Sequence, residues 1–159
     1  NGDYQDEAIL LAHPALGITA MNVAPEYGTV ETRSYLKLVE LEKMLYDEGL
    51  ISKKSNLKDC IRRESVASRR WEKWMTDDTI SKTTEELLQD EEIITKITDI
   101  SGHYTFNNEA VKNEIESLFY NLSEAGINAQ DYVIYKLKES LDKYVETFNL
   151  KGYTKKKKK

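Results

Sequence analysis

Both prolines of this chain, Pro14 and Pro25, fall within its first 25 residues, and only seven glycines punctuate its 159 positions. Proline and glycine are the strongest interrupters of regular structure. Their scarcity beyond Gly28 commits the rest of the chain to helices. Before Gly28 the pattern is different, with short apolar runs bounded by turn residues. Ala8 to Ala12 ends at His13-Pro14, and Gly17 to Val23 ends at Ala24-Pro25. Runs of this length suit buried strands, although periodicity alone does not separate them from helix. Each proline pushes the residue before it toward extended geometry. The second run therefore reads as a strand, and the first as a strand or the end of a helix.

The helical part divides at its caps. Gly28 opens a helix from about Thr29, its expected N-cap, to Glu48, with Gly49 at the C′ position. Leu36, Val39, Leu41, Met44 and Leu45 make its expected apolar stripe. After a polar loop over 52–56, Ser55 caps a helix expected to reach Trp74, with Leu57, Cys60, Ile61, Val66, Trp71 and Trp74 as its apolar members. Thr83 and Glu86 have capping-box spacing, and Asp90 suits the cap of the helix carrying Ile93, Ile94 and Ile97. Ser101 to Phe106 breaks the pattern. A helix from Asn107 or Asn108 to Gly126 then carries Val111, Ile115, Leu118, Phe119 and Leu122, a clear amphipathic signature. The last helix runs from Asn128 to about Asn149, with Val133, Leu137, Leu141, Tyr144, Val145 and Phe148 on one face and Gly152 behind it. The expected architecture is one or two strands followed by five or six helices. A lone strand cannot satisfy its own backbone, so this sheet remnant needs partners from outside the chain. The start at Asn1 reads the same way, as the cut edge of something longer.

Charge excludes some functions. The whole chain carries −5, but Lys155–Lys159 supply five positive charges, so the remainder carries −10. Nucleic-acid affinity rests on Lys and Arg neutralising phosphates, and an acidic body argues against it. Arg62, Arg63, Arg69 and Arg70 give one helix a basic face that reads as structural ion pairing. No apolar run approaches the ~20 residues that span a bilayer. The lone cysteine, Cys60, excludes an internal disulfide and a four-cysteine zinc site and reads as a small buried hydrophobe. With no signal-peptide pattern either, the expected location is cytoplasmic.

The chemistry-bearing residues cluster at His13-Pro14-Ala15-Leu16-Gly17-Ile18 and Asn22-Val23-Ala24-Pro25-Glu26-Tyr27-Gly28. In a βα unit the end of the strand and the following loop face the ligand. Asn22, Glu26 and Tyr27 would sit at that end. Glu26 either caps the following helix or serves as a catalytic acid or base. Arg33, one turn into that helix, either meets a phosphate or pairs with a nearby acid.

The stretch HPALGITAMNVAPEYGTVETRSYLKLVELE resembles the last barrel strand and loop of the class II tagatose-1,6-bisphosphate aldolase non-catalytic-subunit family, which includes related ketose-phosphate and uronate epimerases. SNLKDCIRRESVASRRWEKWM and SGHYTFNNEAVKNEIESLFYNL are similar to later segments of that family, in the same order. Two departures mark a divergent branch. Ser101-Gly102-His103-Tyr104 stands where an Arg-rich double-aromatic motif is expected, and Met75-Thr76-Asp77 follows Trp74 where tyrosines are expected.

The resemblance implies the C-terminal part of a (β/α)8 TIM barrel plus appended helices: a mostly α chain with a short N-terminal β segment. Residues 1–48 would be the last strands and helix of the barrel, 49–154 a helical extension, and 155–159 a disordered lysine tail. It also implies a role in carbohydrate metabolism, as part of the aldolase subunit or of a sugar-phosphate epimerase, with the fragment alone inactive. Glu26 would be catalytic. His13, Asn22, Tyr27, Arg33, His103 and Tyr104 would bind a sugar phosphate. His13 would be a ligand of a divalent metal, zinc or similar. The expected partners are a catalytic aldolase subunit or further copies of the chain, and neither nucleic acid nor membrane. The other reading is a stand-alone helical protein-interaction module, which the capped amphipathic helices would support.

Overall fold

Proline at the first position of a helix loses no hydrogen bond, because that N–H has no intrahelical partner. Pro25 takes this place in α2 (Pro25–Asp47), the 23-residue helix on which the structure is built. A computed structural model describes residues 2–152; the lysine run 155–159 lies outside them. α1 (Glu7–Ala12) precedes α2. α3 (Leu57–Ser68), α4 (Asp77–Ile80), α5 (Thr84–Gln89), α6 (Glu91–Ser101), α7 (Glu109–Glu124) and α8 (Ala129–Thr147) follow, with 3-10 turns at Glu72–Trp74 and Gly102–Tyr104.

No strand occurs among the described residues. This overturns the expected N-terminal β segment, and with it the reading as the C-terminal part of a (β/α)8 TIM barrel. The tagatose and aldolase assignments lose the barrel they rested on. The reason is local. Ala8–Ala12 is helical, and Ile18–Ala24 runs without turn or bend but meets no ladder. Its one backbone partner in the N-terminal segment before α1 is Gly2, whose N–H donates to the Asn22 carbonyl at 2.9 Å; at its ends Ile18 donates to the His13 carbonyl and Ala24 accepts from Tyr27.

α2 begins four residues earlier than Thr29 because its cap comes from elsewhere in the chain. The Asp3 carboxylate accepts from the N–H groups of Ala24 (3.0 Å) and Glu26 (2.9 Å). A negative group there also suits the positive end of the helix dipole. The C-terminal ends of α2, α7 and α8 share one device. At Gly49, Gly126 and Asn149 φ is +71°, +74° and +51°. In each case the next residue donates five positions back, as Leu50 does to Leu45. This is the Schellman arrangement. Asn108, Asn128, Asp90 and the Thr83–Glu86 capping box stand where the sequence places them.

Two cores result. Tyr35, Leu38, Leu57, Ile61, Val111, Leu118, Leu122 and Val133 join α2, α3, α7 and α8. Val66, Trp71, Leu87, Ile94 and Ile97 join the end of α3 to α5 and α6. Trp71 belongs to the second core because α3 stops at Ser68, where Arg69 turns left-handed at φ +52°. Of the expected stripe on α2, Val39, Leu41 and Leu45 pack against the first core and Met44 is exposed, while Thr32, Ser34 and Glu42 are also buried. α2 packs on several sides, so no single apolar face marks it.

Gly28 lies inside α2 and is required there. A Cβ at Gly28 would stand 2.4 Å from the His103 ring, and one at Gly102 would stand 2.7 Å from a Thr32 methyl. The two glycines let the 102–104 turn press against the helix. Gly28→Ala gains about 1 kcal/mol of helix propensity. Overpacking against His103 costs about 1–3 kcal/mol, so the substitution is expected to destabilise. In a His103→Ala background the same change is expected to stabilise. Thermal unfolding of the single and double variants checks this; an identical effect in both backgrounds would contradict it.

Candidate functional site

Glu26 sits in the second position of α2 and is only 8% exposed. The Tyr4 N–H donates to its Oε2 at 2.6 Å, and Lys143 Nζ donates to its Oε1 at 2.9 Å. The Tyr144 hydroxyl donates to Oε2 and also lies 3.1 Å from the Gly2 carbonyl oxygen. One carboxylate thus ties the N-terminal segment, α2 and α8 together. Burial alone would raise its pKa, but the donated hydrogen bonds from Tyr144, Lys143 and Tyr4 outweigh it and hold the pKa below the ordinary glutamate value. Burial and the neighbouring Glu26 push the Tyr144 phenol up. The pair therefore rests as carboxylate and phenol. Three donors on a carboxylate of low proton affinity make a clamp.

This sets a pH dependence. Because the folded pKa is lowered, the contribution of Glu26 is fully present above the unfolded value and is lost as pH falls through the folded one. The urea midpoint is expected to drop on acidification less steeply in Glu26→Gln than in the parent chain. Equal slopes in a series of titrations across the carboxylate range would contradict this.

Of the remaining expected residues, Asn22 and Tyr27 line one cleft and Arg33 and Tyr104 a second, while His13 and His103 line neither. The first, of about 480 Å³, is lined by Pro14, Ile18, Asn22, Tyr27, Tyr144 and Phe148, among others. Tyr27 meets Tyr144 edge-on at 6.2 Å. Asn22 is exposed and contributes its backbone carbonyl to Gly2. His13 is buried behind this cleft, stacked at 6.3 Å on Phe148, and its Nδ1 has no partner. Among the described residues no group of three or more His, Cys, Asp or Glu is placed to hold a metal ion.

The second cleft, of about 460 Å³, is lined by Tyr4, Thr29, Arg33, Trp74, Asp99 and Tyr104, among others. Arg33 Nε lies 2.9 and 3.1 Å from the two Asp99 oxygens, and Nη2 closes on one of them. The guanidinium expected to meet a phosphate is thus held by an acid of α6. Arg70 covers Tyr104, and Lys73 covers Trp74. His103 is wedged between Gly28 and Tyr104, with ring centroids 4.0 Å apart, and burial lowers its pKa. Its Nδ1 also lacks a partner.

Sequence reasoning missed Asp3, Tyr4, Asp99, Lys143 and Tyr144. Lys143 and Tyr144 lie 117 and 118 positions from Glu26, and nothing local marks them. A third cleft, of about 620 Å³, runs along α8 between Glu7 and Glu146, with Asp131, Glu139 and Asp142 against Lys138 and Lys143. No described helix is long and apolar enough to cross a membrane. Comparison with protein families, with curated proteins and with solved structures found no match.

Proposed function

We propose that this chain is a helical interaction module that binds another polypeptide through its N-terminal face. One observation carries the reading: Ile9, Leu11, Leu16 and Ile18 all stand exposed within ten residues of chain, Leu16 at 72%. Scattered surface apolar residues are ordinary, but a concentration of this kind marks an interaction surface. It borders the first cleft, where Ile18, Phe148 and Leu150 continue it. The candidate acid, base and phosphate-binding groups favour the same reading, because Glu26 and Arg33 are engaged by neighbours inside the chain.

The test is a photo-crosslinking residue in place of Leu16, in the full chain, in the cells that make it. The expected product is one discrete covalent species heavier than 18.4 kDa. It is expected to disappear when Ile9, Leu11 and Ile18 are changed to serine, while thermal unfolding is unchanged. Only the 18.4 kDa chain after irradiation would contradict the proposal.

A further inference from the structure

Tyr4, Trp74 and Tyr104 are all exposed, and they come from three separate parts of the chain to line one cleft, the second, of about 460 Å³. Their rings are held in place. The Tyr4 hydroxyl lies 2.7 Å from Thr29 Oγ1, Lys73 covers one face of Trp74 at 4.0 Å, and Arg70 covers one face of Tyr104 at 5.2 Å. The charges inside the cleft are already engaged, since Arg33 is paired with Asp99 and Asp3 accepts from the start of α2. The rim differs. Arg70 and Lys73 have no carboxylate partner among the described residues. The Trp74 Nε1–H and the Tyr104 hydroxyl have no acceptor among them either. The cleft thus offers aromatic surface, two unengaged donors on the rings and two cations at the rim.

We infer that this cleft binds a proline-rich segment of a different protein, with an acidic residue beside the prolines. A segment in the polyproline II conformation has no internal hydrogen bonds, so its carbonyls are open acceptors, and proline brings no N–H of its own. Donors on aromatic rings suit such carbonyls, and the ring surfaces suit the pyrrolidines. The segment is largely ordered before it binds, so little conformational freedom is lost. Charge sets the flank. Exposed charges farther off than a Debye length, ~8 Å at physiological ionic strength, are screened, so Arg70 and Lys73 decide rather than the acidic body. Pro14 and Pro25 stand singly, so a second copy of this stretch brings no such segment. The cleft shares no lining residue with the first cleft, so this site goes beyond the face proposed above.

The probe is a synthetic peptide, a run of prolines ending in two aspartates, added to the isotope-labelled full chain. Trp71 and Trp74 give the only indole N–H signals, and that of Trp71 is buried on the Val66 carbonyl, which makes it an internal control. The Trp74 signal is expected to shift saturably while the Trp71 signal stays. The same peptide with alanine for proline is expected to shift neither. Lysines in place of the aspartates are expected to weaken binding at least about threefold, the scale of two exposed ion pairs. Trp74→Phe, which keeps a ring and removes the donor, is expected to weaken it about threefold or more, read at the Arg33 and Tyr104 backbone amides. Leu16→Ser is expected to bind as the parent chain does. No saturable shift at Trp74 would overturn the inference, and so would equal shifts with the alanine peptide. Equal affinity for the lysine peptide would overturn the acidic flank. Unchanged affinity in Trp74→Phe would overturn the part given to the ring donor. Shifts at both indoles would overturn a local site. Loss of binding in Leu16→Ser would overturn the separation of the two faces, whereas the Leu16 cross-link is read without this peptide and stands or falls by itself.

Discussion

Replacing Glu42 with alanine is expected to lower stability by about 3–5 kcal/mol, because three donors, the buried Asn121 amide and the two of half-buried Ser55, lose their acceptor at once. Glu42 is 1% exposed on α2. The Ser55 N–H donates to Oε1 at 2.9 Å, the Ser55 hydroxyl to Oε2 at 2.7 Å, and Asn121 Nδ2 to Oε1 at 2.8 Å. The side chain thus pins the 52–56 loop and α7 to α2. Total stabilities run about 5–15 kcal/mol, so this loss alone would bring a typical domain near its unfolding limit. Glu42→Met separates the causes, since it keeps most of the volume and removes both oxygens. If the hydrogen bonds carry the effect, Met is nearly as damaging as Ala. A methionine variant within about 0.5 kcal/mol of the parent, the range of neutral surface changes, would refute this account. Urea titration of both variants reads the difference.

Trp71→Ala is expected to cost about 3–5 kcal/mol, the range for emptying a buried indole site. Trp71 is 1% exposed, and its Nε1–H donates to the Val66 carbonyl at 3.1 Å. It is the largest member of the second core, and its loss undoes the packing of Leu87, Ile94 and Ile97. The damage is expected to be local first. Amide exchange in α5 and α6 accelerates more than in α7 and α8, which pack in the other core. Uniform acceleration across all helices would show that the two cores act as one.

The two substitutions also mark what could be read from the sequence. α7 was legible because it packs one-sidedly: Val111, Leu118 and Leu122 are buried where the periodicity puts them. Its Asn108 cap and its Gly126 stop are local signals and stand where expected. α2 was read only in part: Val39, Leu41 and Leu45 pack on the core as expected, but its start and most of its buried set were missed. It is enclosed on several sides, so its buried set includes Thr32, Ser34 and Glu42, which no apolar pattern reveals. Its start was misplaced because the capping carboxylate, Asp3, comes from 21 residues upstream. The strand expectation failed for a related reason. The composition of Gly17–Val23 suits a pleated surface, but a strand exists only with a neighbour, and Gly2 supplies a single bond.

The candidate site was partly legible. Asn22 and Tyr27 line one cleft and Arg33 and Tyr104 another, while His13 and His103 stack on Phe148 and Tyr104 from outside the linings. What they do there depends on residues far along the chain. Glu26, read as a cap or as an acid or base, also accepts from Lys143 and Tyr144, which reach it from α8. Arg33, read as a phosphate contact or the partner of a nearby acid, is paired with Asp99 of α6, 66 positions along the chain.

The most direct measurement is residue-resolved hydrogen exchange on the full chain alone. The account requires slow exchange through α2 and α7. It requires exchange at Thr19, Met21 and Val23 within about tenfold of an unstructured peptide, since their N–H groups have no acceptor. Strong protection of those three amides at low protein concentration would show a ladder within the chain itself. That result would contradict the absence of strand among the described residues.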